Sequence, residues 1–294
     1  MGVKEHVYKR LAAYILLIPS FSLIFLFVYY PAINTLIISF YNLNLKIAYR
    51  SKFIGFDNYF KVILNKEFHR SAINTLVFLG FTLLMCIPMG LVFALVLNER
   101  FPLRSLVRSI VILPWAIPPV VNGYMWQWIL NGQYGAFNGL LYQLGIINKY
   151  VVWLAHPLYS IFWCSFVQAW REIPFVAIVL LAALQSIPAE LIDSSKVDGA
   201  NTFQRFRYIT LPLLRPALSV IITLEAMTTF TAFDVIYALT DLDPATRTLM
   251  LLNYQLVFKF LDIGYGAALS YILFAVGLLL SYFYMKTLYK RIFI

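Results

Sequence analysis

The chain has 294 residues, of which 62% are hydrophobic and only 12% are charged. A soluble domain carries about twice this charged fraction, so the composition excludes a soluble globular protein. The net charge of +10 reflects scarce acidic residues, 13 against 23 basic ones, which also excludes a disordered or nucleic-acid-binding chain. Such a composition is typical of a membrane protein.

Six stretches are apolar and long enough to cross a bilayer, whose core of about 30 Å needs roughly 20 helical residues. The predicted spans lie at about residues 11–39, 72–97, 109–130, 158–184, 217–239 and 267–285. The first is too long for a secretory signal and precedes no small-x-small cleavage site, so we expect it to be retained. Because no repeat or Pro/Gly/Ser linker divides the chain, we predict one all-α membrane domain over residues 1–294.

The third predicted span contains the proline-rich run Pro114–Pro119. Proline interrupts helices, and transporter helices are often broken around their binding site. We therefore predict a break at this run, next to the transport pathway. Trp126 and Trp128, nearer the end of the span, are interpreted as aromatic residues of the membrane interface.

The fourth predicted span carries Arg171 and Glu172 halfway along its length, where ionisable side chains usually indicate function. Neighbours in sequence project about 100° apart on a helix, so we expect that the two do not simply neutralise each other. At least one should then face a polar cavity, a partner subunit, or Glu225 or Asp234. A structural ion pair across spans is the alternative. Three nearby residues favour the cavity: Gln168, Trp170 and Pro174.

The polar segment 185–215 lies between the fourth and fifth spans, and its pattern predicts two short helices. Gly199 suits a left-handed helix stop, and Asn201 with Gln204 resembles a capping box that opens the second helix. Pro212 and Pro216 are expected to end that helix. The pair could project to meet a partner protein, or it could lie on the lipid headgroups.

The fifth span offers hydroxyl groups in the run Thr228–Thr231. These could line a polar pathway, although threonine often bonds the carbonyl groups of its own helix. Lys and Arg residues number thirteen in the connections on one side of the predicted topology and nine on the other. This bias predicts cytoplasmic N- and C-termini, with residues 185–215 also on the cytoplasmic side.

The segment 185–215 closely resembles the EAA loop of binding-protein-dependent ABC importer permeases. The family pattern appears as Asp193-Ser194-Ser195, then Asp198-Gly199-Ala200, then Ile209-Thr210-Leu211-Pro212, with Asp in place of Glu and Ser in place of Ala. The resemblance implies a cytoplasmic coupling helix seated in a cleft of an ATPase subunit. The residues that it implies in coupling are Glu190, Leu191, Asp193, Ser194, Ser195, Asp198, Gly199 and Ala200.

Further marks resemble the sugar-importing branch of this family, in its compact six-span form. They are Phe53–Tyr59, Asn74-Thr75, Leu113–Pro118, Phe233-Asp234, Leu239-Thr240, Ala245–Leu249 and Tyr254. The resemblance implies import of a sugar or sugar-like solute through a pocket near the middle of the membrane. The implied pathway residues, together with those that the sequence itself suggests, are Trp115, Pro119, Gln168, Trp170, Arg171, Glu172, Thr228, Thr229 and Thr231.

No glycine opens a phosphate-binding G-x-x-x-x-G-K-[ST] loop, so this chain is not expected to bind nucleotide or to be an enzyme. The resemblance implies that ATP and magnesium bind two partner ATPase subunits, and that a second permease subunit and an extracytoplasmic solute-binding protein complete the importer. No metal or nucleic acid is expected on this chain. An ion-coupled secondary transporter and a membrane-embedded enzyme are the alternatives, but neither an inverted repeat nor a credible nucleophile and base pair is evident.

Overall fold

The computed structural model describes residues 14–284 and residue 286. The described chain is mostly helical, with one two-stranded antiparallel sheet that pairs β1 (Tyr41–Asn42) with β2 (Lys52–Phe53). The helices in chain order are α1 (Tyr14–Ser39), α2 (Asp57–Leu64), α3 (Lys66–Asn98), α4 (Arg104–Val111), α5 (Leu113–Ala116), α6 (Pro119–Ile129), α7 (Ala136–Gln143), α8 (Pro157–Gln185), α9 (Ala189–Val197), α10 (Thr202–Thr231), α11 (Asp234–Thr240), α12 (Leu249–Tyr254) and α13 (Ile263–Tyr284).

Five described helices are long and apolar enough to cross a membrane, namely α1, α3, α8, α10 and α13. The bent series from α4 to α6 supplies a sixth span. The predicted all-α fold with six spans is therefore confirmed. Residues 11–13 of the first predicted span, residue 285 of the last one, and both predicted cytoplasmic termini lie outside the described residues.

The described chain divides into two compact units. One contains the described residues up to Asn65 together with Asn253–Ile272. Within it, the side chain of Asn58 donates to the carbonyl oxygens of Ser39 and Tyr41, each at 2.9 Å. These bonds fasten the segment Phe53–Tyr59 to the end of α1.

The second unit contains Lys66–Leu252 together with the described residues from Leu273 onward, and its core lies where α3, α8 and α10 pack together. Ten buried residues form the core, and they are Cys86, Ala94, Leu97, Ala169, Val176, Leu180, Leu181, Leu184, Leu214 and Ile221. A Cβ atom at Gly90 would lie 2.4 Å from a methyl group of Val176, so glycine is needed there for α3 to approach α8 this closely. Cys86 and Cys164 are buried free thiols.

Two of the sequence marks of the importer family meet in this unit. Asn74 donates to the carbonyl oxygen of Arg247 at 3.1 Å, and the hydroxyl of Thr75 accepts from the amide of Leu249 at 2.9 Å. The guanidinium of Arg247 also pairs with Glu67. The segment Ala245–Leu249 is thereby fixed to the beginning of α3.

The predicted fifth span is wrong at both ends. The helix does not stop at Pro212 or Pro216, and α10 runs without interruption from Thr202 to Thr231. Pro212 lies two residues after the π-helical turn Phe206–Thr210 of α10. The wider turn accommodates a proline, which has no amide hydrogen to donate. At the other end α10 stops at Thr231, because Ala232 is extended, and α11 is a separate helix. The connection predicted at 185–215 therefore has only α9 as a separate helix.

Candidate functional site

The third span is broken where the sequence predicts, at the junction between α5 and α6, and the two parts meet at 93°. Ile117 and Pro118 are extended, with ψ of 129° and 138°. Each precedes a proline, and the ring of a following proline disfavours helical backbone. Pro118 and Pro119 also lack amide hydrogens, so carbonyl groups at the end of α5 lose their helical donors. The break leaves the carbonyl oxygen of Ile117 available to another element.

Arg171 on α8 bonds this free carbonyl. Its Nε donates to the oxygen of Ile117 at 2.9 Å, and its Nη1 pairs with the carboxylate of the adjacent Glu172. The expectation that these two neighbours do not neutralise each other is therefore wrong, because the long arginine side chain curls back to reach the shorter one. Gln168, one turn away, also donates to Glu172, at 3.3 Å. The pair thus joins α8 to the broken end of α5.

Several oxygen atoms beside this ion pair are buried and have no partner within the described residues. They are Oε1 of Gln168 on α8 and Oε2 of Glu225 and Oγ1 of Thr229 on α10. Glu225 is 2% exposed and interacts electrostatically with both Glu172 and Arg171. An unpaired polar atom in an apolar interior carries an energetic cost, and such atoms concentrate where water or a ligand is bound. The middle of this unit therefore holds a polar centre that the chain itself does not fully satisfy.

Trp115 lies next to the break and stacks on Phe175 of α8, with ring centroids 5.5 Å apart and planes 11° from parallel. It remains 41% exposed, so the face of the indole opposite Phe175 is accessible. Pro119 opens α6 on the other side of the break. Trp170 instead packs edge-on against Trp126, which is half-buried. The interpretation of Trp126 and Trp128 as interfacial residues stays a prediction.

The three threonines of the run Thr228–Thr231 differ in their surroundings. Thr229 is buried one turn after Glu225, whereas Thr228 and Thr231 are exposed. The hydroxyl of Thr231 donates to carbonyl oxygens of its own helix, at 2.9 Å for Met227. Thr229 is therefore the member of this run that is buried on the same face of α10 as Glu225.

The predicted coupling segment is an exposed helix, α9. Glu190, Leu191, Asp193, Ser194 and Asp198 are exposed, and Ser195 is buried. Asp193 accepts from Lys196 one turn later at 2.8 Å, and this hydrogen bond holds the pKa of the Asp193 carboxyl below its usual value. The helix thus presents most of its surface to a potential partner.

Two local devices define the end of α9 and the beginning of α10. Gly199 has φ of +78°, the predicted left-handed stop, and Ala200 donates from its amide to the carbonyl of Ser195 at 2.9 Å. The predicted capping box is also present, since Asn201 and Gln204 exchange side-chain to backbone hydrogen bonds of 2.8 Å. The turn between the two helices is therefore fixed by the left-handed backbone of Gly199 together with the side chains of Asn201 and Gln204.

A family model described as the binding-protein-dependent transport system inner membrane component matches residues 86–294, which cover the broken span, the polar centre and α9. The chain belongs to this family. It is thus a membrane-embedded permease component of a binding-protein-dependent transport system, and the predicted family and fold are confirmed.

Curated relatives of this permease cover nearly its whole length. The trehalose/maltose permease protein MalF of Thermococcus litoralis is 34% identical over 93% of the chain and 92% of its own length. The sulfoquinovosyl glycerol permease protein SmoG of Agrobacterium fabrum is 33% identical over 94% and 90%. Among solved structures, a chain of a bacterial ABC transporter for the acidic polysaccharide alginate has a TM-score of 0.85 and 25% identity over 99% of both chains. A second alginate transporter structure, in complex with a periplasmic protein bound to alginate pentasaccharide, has a TM-score of 0.78 and 24% identity over 98% of both chains.

Sequence reasoning missed three members of this permease's polar centre. Phe175 appears as one more apolar residue in a span, and a backbone carbonyl such as that of Ile117 carries no side-chain signal at all. Glu225 does carry one, because it is an isolated acid in an apolar run, yet it was considered only as a possible partner for Arg171. Its buried position beside Glu172 makes it part of the candidate site.

Proposed function

We propose that this permease carries a sugar or sugar-like solute in an ATP-driven importer, along a pathway next to the break in the third span. The observation that carries the proposal is the accessible indole face of Trp115 beside the polar groups of α8. Aromatic faces pack against the apolar faces of sugar rings, while planar polar side chains bond hydroxyl groups. The printed names of the two curated relatives, trehalose/maltose and sulfoquinovosyl glycerol permeases, support the same class of solute.

The charges at the centre favour a solute rich in hydroxyl groups over a strongly anionic one. Arg171 is already engaged with Glu172 and with the carbonyl of Ile117, so little of its charge is free for a phosphate or carboxylate. Glu225 adds a second acid nearby. The unpaired oxygens of Gln168 and Thr229 are acceptors that suit the hydroxyl hydrogens of a sugar.

We assign coupling to α9, which would seat in a cleft of a partner ATPase subunit. The support is the exposure of this helix, its rigid end at Gly199, and its resemblance to the coupling loop of the family. ATP and magnesium would bind two such ATPase subunits, because this chain contains no nucleotide-binding loop. Nucleotide-driven closure of those subunits would move α9 and rock the spans between inward- and outward-facing states.

The remaining partners are a second permease subunit and a soluble solute-binding protein. The helix α1 supports the former, since none of its most apolar window is buried and its surface is free to meet a further membrane chain or lipid. The family description supports the binding protein. The excess of basic residues in the connections supports a cytoplasmic location for α9 and both chain ends.

Uptake by the reconstituted importer tests the solute class. The permease, its partner subunits and its binding protein would be assembled in proteoliposomes and supplied with labelled disaccharides. We expect ATP-dependent uptake that Trp115→Ala lowers at least about tenfold and Trp115→Phe largely preserves, since a stacking interaction of 1.4 kcal/mol accounts for a factor of about ten. Uptake that continues without ATP and collapses with an ionophore would contradict the importer.

The coupling assignment has its own test at Gly199. A Cβ atom there meets nothing within 4 Å, so the effect of a substitution comes from the left-handed backbone alone. Gly199→Val should abolish transport and ATPase assembly while membrane insertion persists, whereas Gly199→Asn should retain much of both, because asparagine tolerates this conformation. Equal uptake by wild type and Gly199→Val would count against the coupling role.

A further inference from the structure

A basic cavity lies away from the polar centre, at the end of the unit where α3 stops and α4 begins. It has a volume of about 500 Å³ and is lined by Arg104, Ser105, Arg108, Ser109 and Ile112. None of the five lining residues is acidic. Neither the predicted pathway nor the coupling helix uses any of them.

Both arginines are held in place by the end of α3. Arg108 donates from Nη2 to the carbonyl oxygen of Leu97 at 2.8 Å, and Arg104 donates from Nη1 to that of Glu99 at 3.4 Å. These bonds cap the helix end, where cationic side chains are favourable. They leave most of the guanidinium hydrogens without a protein acceptor, and neither arginine forms an ion pair in the described part of the chain.

Arg108 supplies the observation that points to a ligand. Its guanidinium is partly buried and lines the cavity, and apart from the bond of Nη2 to Leu97 it has no acceptor among the described residues. A charged donor held in a partly buried site without an acceptor is costly, so the hydrogens that face the cavity favour an anionic ligand. Two fixed guanidinium groups with a neighbouring serine hydroxyl match the oxygen atoms of a phosphate group.

The surface beside the cavity indicates where such a phosphate comes from. Exposed apolar side chains recur along the same helical stretch at spacings of three and four residues, and they are Leu103, Leu106, Ile110 and Leu113. Val107 and Val111, on another side of this stretch, pack against the core. A ligand with its charged group in the cavity would therefore have apolar protein surface directly alongside it, as an anionic phospholipid requires.

We propose that this cavity binds a phosphate group, and that an anionic lipid headgroup supplies it. Basic pockets between spans are a recognised means of holding such headgroups. The bound lipid would fasten the beginning of the broken span to the membrane surface, at the same end of the unit as α9. The proposal does not depend on which solute the permease carries.

Lipid binding to the purified assembled transporter in detergent tests the proposal. Native mass spectrometry and thermal unfolding would be followed during titration with phosphatidylglycerol, with phosphatidylcholine, and with soluble glycerol 3-phosphate. We expect wild type to bind phosphatidylglycerol about tenfold more tightly than Arg104→Gln does, since one charge-assisted contact is lost. Arg104 is the residue to change because its bond to α3 is long and its loss leaves the cap from Arg108 intact.

The matched control is Arg207→Gln, which removes the same charge from an exposed residue of α10 outside the cavity. It should bind phosphatidylglycerol like wild type. Equal binding by wild type and Arg104→Gln, or an equal loss in both variants, would overturn the site. Stabilisation by glycerol 3-phosphate at the concentrations that suffice for the lipid would support the phosphate site and overturn the lipid as its source.

Discussion

The third and fourth spans both contain proline, yet only the third is broken. The fourth, α8, runs from Pro157 to Gln185 with Pro174 in its interior, whereas the third bends by 93° at Pro118 and Pro119. A single proline removes one hydrogen bond of the helix, and packing against neighbouring helices can keep the remaining helix straight. Two consecutive prolines remove adjacent donors and restrict the residue before each of them.

The difference teaches how the permease builds a polar site between apolar helices. The broken span supplies an unpaired carbonyl at Ile117, and the straight span supplies Arg171, which bonds it at 2.9 Å. Irregular backbone at membrane depth persists only where another group satisfies it. The straight helix α8 thus stabilises the break in the third span, and each of the two can be changed by mutation without changing the other.

The largest effect is expected from removing the link between the two spans. Arg171→Met leaves the carboxylate of Glu172 buried without its charged partner and should destabilise the protein by about 3–5 kcal/mol. Thermal unfolding of the purified transporter measures this. The double variant Arg171→Met with Glu172→Met should regain most of the loss, because an apolar pair leaves no buried charge. A single variant as stable as wild type would show that the pair supports nothing.

Restoring the broken helix should affect transport more than stability. Replacing both Pro118 and Pro119 with alanine returns two amide donors, so α5 and α6 can join and the carbonyl of Ile117 is bonded within its own helix. We expect uptake to fall at least about tenfold, since the accessible face of Trp115 loses its position beside α8. Electron paramagnetic distances between labels at Leu106 and Trp128 should lengthen as the bend opens. An unchanged distance would mean that something besides the prolines imposes the bend.

A smaller effect, with the opposite sign, is expected at Glu225. Glu225→Gln keeps the shape of the side chain while removing an acidic group buried next to Glu172, and it should raise stability by about 1 kcal/mol. The comparison is Glu190→Gln, an exposed change on α9 that should stay within about 0.5 kcal/mol of wild type. Loss of stability in Glu225→Gln would show that the carboxylate has a stabilising partner in the assembled transporter.

The smallest effect is expected at Pro174. Pro174→Ala removes a buried ring but returns one amide hydrogen bond, and each is worth about 1 kcal/mol, so the net change in stability should be below about 1 kcal/mol. Uptake should be retained. A strong loss of uptake would mean that the straight span also needs its proline, and the contrast between the two spans would then be weaker than proposed.

Local signals allowed much of this structure to be predicted from the sequence. The apolar lengths gave six spans, the paired prolines gave the break, and Gly199 with Asn201 and Gln204 gave the turn after α9. The prediction failed where a local signal was overridden by tertiary packing. Pro212 and Pro216 suggest helix ends, but α10 passes through both. The contact between Arg171 and Glu172 depends on the length and conformation of the arginine side chain, which cannot be predicted from the positions of the two residues on a helix.

The uninterrupted course of α10 has a mechanical meaning. Its 30 residues measure about 45 Å at 1.5 Å per residue, and Glu225 and Thr229 lie about 36–42 Å along it from the capping box at Asn201. If a partner moves the Asn201 end, as proposed, the continuous helix would carry that movement past its π-helical turn to Glu225 and Thr229 as a tilt. One continuous helix would thus link the proposed coupling end to the proposed solute pathway.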